Sequence, residues 1–213
     1  MISRLISLTL SLLIVSAPMA AQAQESPSKV ASTVSYGFVV DNSGSYRQLL
    51  DRVISLVRTI AEKNSGGDEA FLVTFVDTPK IVVRQEITSE TSEITEAAEN
   101  MFIQGGPTAI LDAVRMSLEY LAANGKDDPG RTKALLLITD GDEHNSQAKI
   151  ETVIAFAKDA KIKIVVVGMS DEKMNTKLLD RLAKETGGTT FYPKTAKEMT
   201  QAIDNISSAI RRN

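Results

Sequence analysis

The chain reads as an α/β protein: a doubly wound, mostly parallel sheet of about six strands with one antiparallel edge strand and helices on both faces. Three observations predict this. Apolar runs and helical patterns alternate along almost the whole chain, as they do where crossover helices join parallel strands. Several of the runs are apolar at every position, as expected of strands covered on both faces. One connection, Asp77-Thr78-Pro79, is too short for a parallel crossover and allows only an antiparallel hairpin.

Tyr36-Gly37-Phe38-Val39-Val40 is the first predicted strand, stopped by the polar run Asp41-Asn42-Ser43-Gly44-Ser45. Leu49, Leu50, Val53, Ile54, Val57 and Ile60 then recur at helical spacing, and Asn64-Ser65-Gly66-Gly67 ends that helix. Residues 70–76 form the second strand and residues 80–87 the third, its antiparallel neighbour. Residues 88–100 are acidic and helix-prone, and Gln104-Gly105-Gly106-Pro107-Thr108 is a loop. Ile110, Leu111, Val114, Leu118 and Leu121 mark the next helix. Residues 134–138 are a continuous apolar strand, followed by a helical face at Ile150, Val153, Ile154 and Ala157 and a strand over 162–167. Leu178, Leu179, Leu182 and Ala183 lie on a helix that ends at Gly187-Gly188. Thr190-Phe191-Tyr192 is a short last strand. Thr195 and Glu198 open the final helix, 196–211, as a capping box; its core face is Met199, Ile203, Ile206 and Ile210. There is no internal repeat and no sign of a second domain.

The N-terminus has a different character. A basic n-region with Arg4, an apolar run over 5–15 and the Ala21-Gln22-Ala23 pattern read as a signal peptide over residues 1–23. The apolar run is shorter than the ~20 residues a membrane span needs. Residues 24–33, rich in Ser, Gln and Pro, read as a short tether, and residues 34–213 suit one domain with its own core. The expectation is an exported protein, periplasmic or secreted, with no membrane span after cleavage.

Composition narrows the chemistry. A net charge of -3 and a pI near 5.3 argue against a nucleic-acid partner, since nucleic-acid binders carry basic patches or stripes. Cysteine is absent, which excludes disulfides, thiolate zinc sites, cysteine nucleophiles and a lipidated N-terminal cysteine. One histidine cannot build a histidine cage, so a metal here is held by oxygen.

In open α/β sheets ligands bind beyond the carboxyl ends of strands, where the strand order reverses. The polar residues just after strands are therefore the informative ones. Asp41, Ser43 and Ser45 follow the first strand; Thr139, Asp140 and Gly141 follow the strand over 134–138; Thr108 lies in a Gly-Gly-Pro loop before a helix. Carboxylates and hydroxyls are hard oxygen donors, suited to a divalent cation such as Mg²⁺.

These segments together resemble the von Willebrand factor A domain family, whose metal-ion-dependent adhesion site joins an Asp-x-Ser-x-Ser motif to a distant Thr and a distant Asp. The motif is Asp41-Asn42-Ser43-Gly44-Ser45, the Thr matches Thr108 in Gly105-Gly106-Pro107-Thr108-Ala109, and the Asp matches Asp140 in Ile138-Thr139-Asp140-Gly141. The Glu185-Thr186-Gly187-Gly188 segment is also similar to the family's C-terminal third, so the resemblance spans about residues 34–210. It implies Mg²⁺ or Mn²⁺, with Ser43, Ser45 and Thr108 as direct ligands and Asp41 and Asp140 coordinating directly or through water. It further implies a protein partner whose Glu or Asp completes the shell, and recognition without turnover.

Two rival functions stand beside that one: a metal-dependent hydrolase on the same scaffold, and an assembly subunit with a structural metal. Against phosphatase chemistry, the Asp-x-Asp pattern that supplies a proton shuttle is broken by Ser43. The single histidine, His144, reads as a solvated loop residue near the metal rim, and Asp142 and Glu143 as exposed neighbours. Gly125-Lys126-Asp127-Asp128-Pro129-Gly130-Arg131-Thr132 mimics a phosphate-binding loop but runs from helix to strand, and reads as a connector. Asn205-Ile206-Ser207 fits a glycosylation pattern, yet lies inside the final helix.

Overall fold

A computed structural model describes residues 33–171 and 174–212. The predicted signal peptide and residues 24–32 of the tether lie outside the described residues. Six strands and six α-helices follow in chain order: β1 (Val34–Asp41), α1 (Leu50–Ala61), β2 (Glu69–Phe75), β3 (Val82–Thr88), α2 (Thr91–Glu99), α3 (Ile110–Asn124), β4 (Thr132–Thr139), α4 (Ile150–Asp159), β5 (Ile162–Gly168), α5 (Lys177–Glu185), β6 (Thr190–Phe191) and α6 (Ala196–Arg211).

The sheet order is β3-β2-β1-β4-β5-β6. Only the β2–β3 pair is antiparallel, which places the one antiparallel strand at an edge, as the sequence predicts. The order runs outward in opposite directions from the β1–β4 pair, so the switch point lies between these strands. Val34 pairs with Thr132 and Val40 with Ile138, which brings Asp41 and Asp140 to the same end of neighbouring strands.

The period of two along each strand sorts side chains into two cores. Tyr36, Phe38 and Val40 of β1, Leu136 and Ile138 of β4, and Val165 and Val167 of β5 face one side, covered by Val53, Val57 and Ile60 of α1, Ile94 of α2 and Ile206 and Ile210 of α6. Val39, Leu135, Leu137, Ile164 and Val166 face the other, covered by Val114 and Leu118 of α3, Val153 of α4 and Leu179 and Leu182 of α5. All eight β1 positions are buried, which explains why its sequence shows a run rather than an alternation.

Local differences from the predicted elements have local causes. The third strand begins at Val82 rather than at residue 80, because Pro79 sits in the first turn of a short 3₁₀ segment, Thr78–Lys80; its fixed φ and missing N–H favour that position. The acidic helix begins at Thr91, since Thr88 still pairs with Ala70 in the ladder. At α6 the Thr195 hydroxyl accepts the Glu198 N–H at 3.1 Å, while the Glu198 carboxylate reaches past Thr195 to the Lys194 N–H at 2.7 Å. The predicted capping box is thus wider by one residue.

Gly37 has a packing role in the middle of β1. A Cβ placed there would lie 2.1 Å from the Phe71 ring, which is fully buried and tilted against Tyr120 with centroids 4.8 Å apart. Gly37→Ala is expected to lower stability by about 1–3 kcal/mol through overpacking. Adding Phe71→Leu to Gly37→Ala should cost less than the sum of the two single changes in denaturant titrations; strict additivity would show that the two positions do not compete for space.

Candidate metal centre

β1 delivers Asp41 at its last residue, paired with Phe75 at the end of β2, and the Asn42 N–H closes the ladder by donating to the Phe75 carbonyl at 3.0 Å. Ser43 is extended and heads a 3₁₀ turn, Gly44–Gln48, which curls the motif so that alternate residues come together. The Ser43 and Ser45 hydroxyls are 3.1 Å apart. Tyr46 anchors the turn, fully buried in the core beneath.

Asp41 is 1% exposed. One carboxylate oxygen accepts the Ser43 N–H at 2.9 Å and the other accepts the Thr139 hydroxyl of β4 at 2.8 Å. The Ser45 hydroxyl donates to Asp140 at 2.6 Å, crossing the switch point in the opposite sense. Asp140 is further held by the Asp142 N–H at 3.1 Å. The turn after it depends on Gly141, whose φ of +83 is left-handed and whose Cβ would lie 2.8 Å from the Asn175 carbonyl, a position open to glycine alone.

Thr108 is buried and arrives on a loop stitched to both flanking loops by backbone. The Gln104 N–H donates to the Asn42 carbonyl at 2.8 Å, and the Thr108 carbonyl accepts the His144 and Asn145 N–H groups at 2.9 and 3.1 Å. No hydrogen bond joins the Thr108 side chain to the other four residues. Asp41, Ser43, Ser45 and Asp140 are therefore linked directly or in chain by side-chain bonds, and Thr108 is joined to their loops through the main chain.

The electrostatics are those of a site short of positive charge. Burial pushes the Asp41 carboxyl up to about 6; the charge of Asp140 adds to this, and the Ser43 and Thr139 hydrogen bonds oppose it. The Tyr46 hydroxyl is buried without a hydrogen-bond partner, and burial beside Asp41 and Asp140 moves it well above the ordinary phenol range. The Asn42 side-chain oxygen is likewise orphaned. Such groups in a native fold call for water or an ion. Among the described residues no three acidic or histidine side chains gather; the donors are two carboxylates and hydroxyls, a hard oxygen set that fits Mg²⁺ or Mn²⁺. A cleft of about 470 Å³ opens beside Ser45 and Asp140, with Arg47, Asp142, Asp171 and Asn175 on its walls.

Sequence reasoning missed the residues that hold the loops together. Glu143 is not simply an exposed neighbour: its carboxylate accepts the Leu111 N–H at 3.0 Å and the Ser146 N–H at 2.9 Å, and the Ser146 hydroxyl accepts the Leu111 and Asp112 N–H groups. The first turn of α3 is thus capped by the loop after β4. Asp112 returns the tie, accepting the Gln147 and Ala148 N–H groups at 3.0 and 2.7 Å and the Thr78 hydroxyl at 2.5 Å. The glycosylation-like Asn205 lies within α6, and His144 is half exposed with Nε2 2.8 Å from Asp142.

The raised Asp41 pKa has a definite sign. Between the unfolded value near 3.9 and the folded value the native state binds the extra proton, so this carboxylate costs stability as pH rises through that window. In metal-free protein, Asp41→Asn should raise the unfolding free energy above pH 6 by up to about 3 kcal/mol, read as a higher melting temperature, and the difference should vanish below pH 4. A gap that is constant across pH would show that ionisation of Asp41 is not its source.

The family model of the von Willebrand factor type A domain matches residues 37–206. The human collagen alpha-1(XXI) chain is 26% identical over 121 residues, 57% of this chain and 12% of that one. The mouse collagen alpha-6(VI) chain is 25% identical over 140 residues, 62% of this chain and 6% of that one. The chain therefore spans about a tenth or less of the curated relatives it matches. Among solved structures, a von Willebrand factor type A protein from Catenulispora acidiphila superposes with a TM-score of 0.71 at 16% identity, covering 84% of this chain and 43% of that one. An aerotolerance-related membrane protein from Bacteroides fragilis, carrying multiple mutations to serine, gives 0.66 at 19% identity, covering 84% and 100%. The pilus adhesin SpaC of Lactobacillus rhamnosus GG, in an open conformation, gives 0.62 at 16%, covering 85% and 30%. At these identities the likeness is one of fold.

Proposed function

The chain belongs to the von Willebrand factor type A domain family, and on that premise we propose that it is an exported, adhesion-type module that binds a protein partner through a divalent cation, without turnover. Asp41, Ser43, Ser45, Thr108 and Asp140 would hold the ion. When bound, Mg²⁺ or Mn²⁺ supplies a Lewis-acid centre that attracts a carboxylate from outside. The observation that carries this reading is the pairing of Asp41 and Asp140 across the β1–β4 switch point, with Asp41 buried and its charge uncompensated by any cationic side chain among its hydrogen-bond partners.

The chain's own residues divide the work. The Ser43 N–H and Thr139 hydroxyl fix the Asp41 carboxylate in place before any ligand arrives. The Ser45 hydroxyl and Asp142 N–H do the same for Asp140. This preorganisation lowers the ordering cost of binding. On the rim, Arg47 adds a cation that favours an acidic partner. Recognition rather than hydrolysis is supported by Ser43, which stands where an Asp-x-Asp proton shuttle would need a second carboxylate, and by Glu143, whose carboxylate is taken up in capping α3. Export rests on the pattern in residues 1–23; among the described residues no helix is long and apolar enough to cross a membrane.

Two measurements test the proposal. Mg²⁺ at about a hundredfold excess over Kd should stabilise the fold by about 2.7 kcal/mol, raising Tm by several degrees, and Asp41→Ala should abolish that shift; identical melting with and without Mg²⁺ or Mn²⁺ would overturn cation binding. Partners captured from native envelope or secretome in Mg²⁺ should be released by chelator and lost with Asp140→Ala. Capture that survives both treatments would favour a structural metal, and divalent-dependent turnover of phosphoesters lost with Asp41→Ala would favour a hydrolase.

A further inference from the structure

The opposite pole of the sheet carries a second polar feature that the metal centre does not use. At the amino ends of β4 and β5 a cavity of about 510 Å³ is walled by six cationic residues: Arg131, Lys133, Lys158, Lys161, Lys163 and Arg212. The chain as a whole is acidic, so this is a local concentration of charge and not a reflection of composition. Three of the six have carboxylate neighbours: Arg131 with Asp128 at 2.7 Å, Lys133 with Asp127 at 3.3 Å and Lys158 with Glu185 at 3.9 Å. Lys161, Lys163 and Arg212 have no ion pair among the described residues, and the Lys163 ammonium donates to the Arg212 carbonyl. Burial, with Arg212 adding its charge, pushes Lys163 down to about 8. Six like charges are thus brought together here, three of them without an ion pair among the described residues.

A separate observation points the same way. Lys161 sits in the turn between α4 and β5 with φ +55, the one non-glycine residue with positive φ among those described. That conformation suits Gly or Asn and is disfavoured for a residue that carries a longer side chain. The turn itself needs only a backbone bond, from the Lys161 N–H to the Lys158 carbonyl at 3.0 Å, which glycine would make equally well. Lysine is thus used at a position where it is unfavourable for folding and where it lines the cavity.

We propose that this cavity binds a phosphate group, free or as a phosphate ester, independently of the metal centre. Three cations with no ion pair among the described residues match a di- or trivalent oxyanion, and charge-assisted hydrogen bonds from Lys and Arg are its usual means of capture. The cavity is larger than a bare phosphate, and Ala157, Ile162 and Ala209 on its lining give an ester's organic part an apolar surface.

The test is titration of the whole protein with inorganic phosphate and with glycerol 3-phosphate, at constant ionic strength and in chelator so that no divalent ion can recruit the anion elsewhere. Saturable binding by calorimetry is expected, with an affinity falling about tenfold in Lys161→Gly and in Arg212→Gln. Both residues are exposed, so neither change disturbs the core. Without phosphate, Lys161→Gly should melt higher than wild type, because it relieves the backbone, which separates a binding role from a turn-forming one. Co-sedimentation with phosphatidylglycerol vesicles but not with phosphatidylcholine, lost in the same variants, would assign the phosphate to a lipid headgroup. Absence of binding to both soluble anions and anionic vesicles, or binding unchanged by either substitution, would overturn the site.

Discussion

The parallel pairing of β1 with β4 is the constraint from which the rest of the structure follows. These strands lie about 90 residues apart in sequence, yet their registered ladder from Val34–Thr132 to Val40–Ile138 brings two carboxylates to one edge. The connection after each strand leads to a helix on a different face of the sheet, and the loop that carries Thr108 is tied by its main chain to both. Asp41 and Asp140 lie where the two connections part, and the cross-strand bonds from Thr139 to Asp41 and from Ser45 to Asp140 hold them at close quarters. Two acids are thereby brought together at the cost of burying one of them, which is the kind of local disadvantage a fold tolerates where it recognises something.

The same parallel architecture decides what could be read in advance. β1, β4 and β5 were legible because strands buried on both faces show as unbroken apolar runs, and α1, α3 and α6 because each has one apolar stripe. Asp41, Ser43, Ser45 and Asp140 were legible as candidates because a switch-point argument needs only strand ends, which polar punctuation marks well. What escaped was non-local. Nothing in the sequence around Glu143 and Ser146 indicates that they cap a helix that begins far back at Ile110, and nothing around Thr78 announces a bond to Asp112. The 3₁₀ turn at Thr78–Lys80 escaped because three residues are too few to carry a period. Thr108 lies between: its loop was evident from glycine and proline, whereas its attachment to the chain on both sides is a property of main-chain hydrogen bonds and leaves no compositional trace.

The two ends of the sheet also differ in how they treat charge. At the carboxyl ends, anionic side chains converge and backbone N–H groups and hydroxyls soften the repulsion. At the amino ends of β4 and β5, cationic side chains converge, and the softening is incomplete. The acidic composition of the chain describes neither end, because the mean conceals a separation of opposite charges along the strand direction.

The cap that Glu143 and Ser146 place on α3 has an implication for modularity. Because the first turn of that helix is satisfied by the segment following Asp140, and Asp112 in the helix grips that segment in return, neither piece is self-sufficient. Transplanting the Asp-x-Ser-x-Ser pentapeptide into another Rossmann-like scaffold would carry the lettering without the frame. The smallest inheritable unit is a noncontiguous patchwork of the first strand's exit, the glycine-rich bend, the opening of α3 and the stretch beyond β4, and selection acting on any one of these is answerable to the other three.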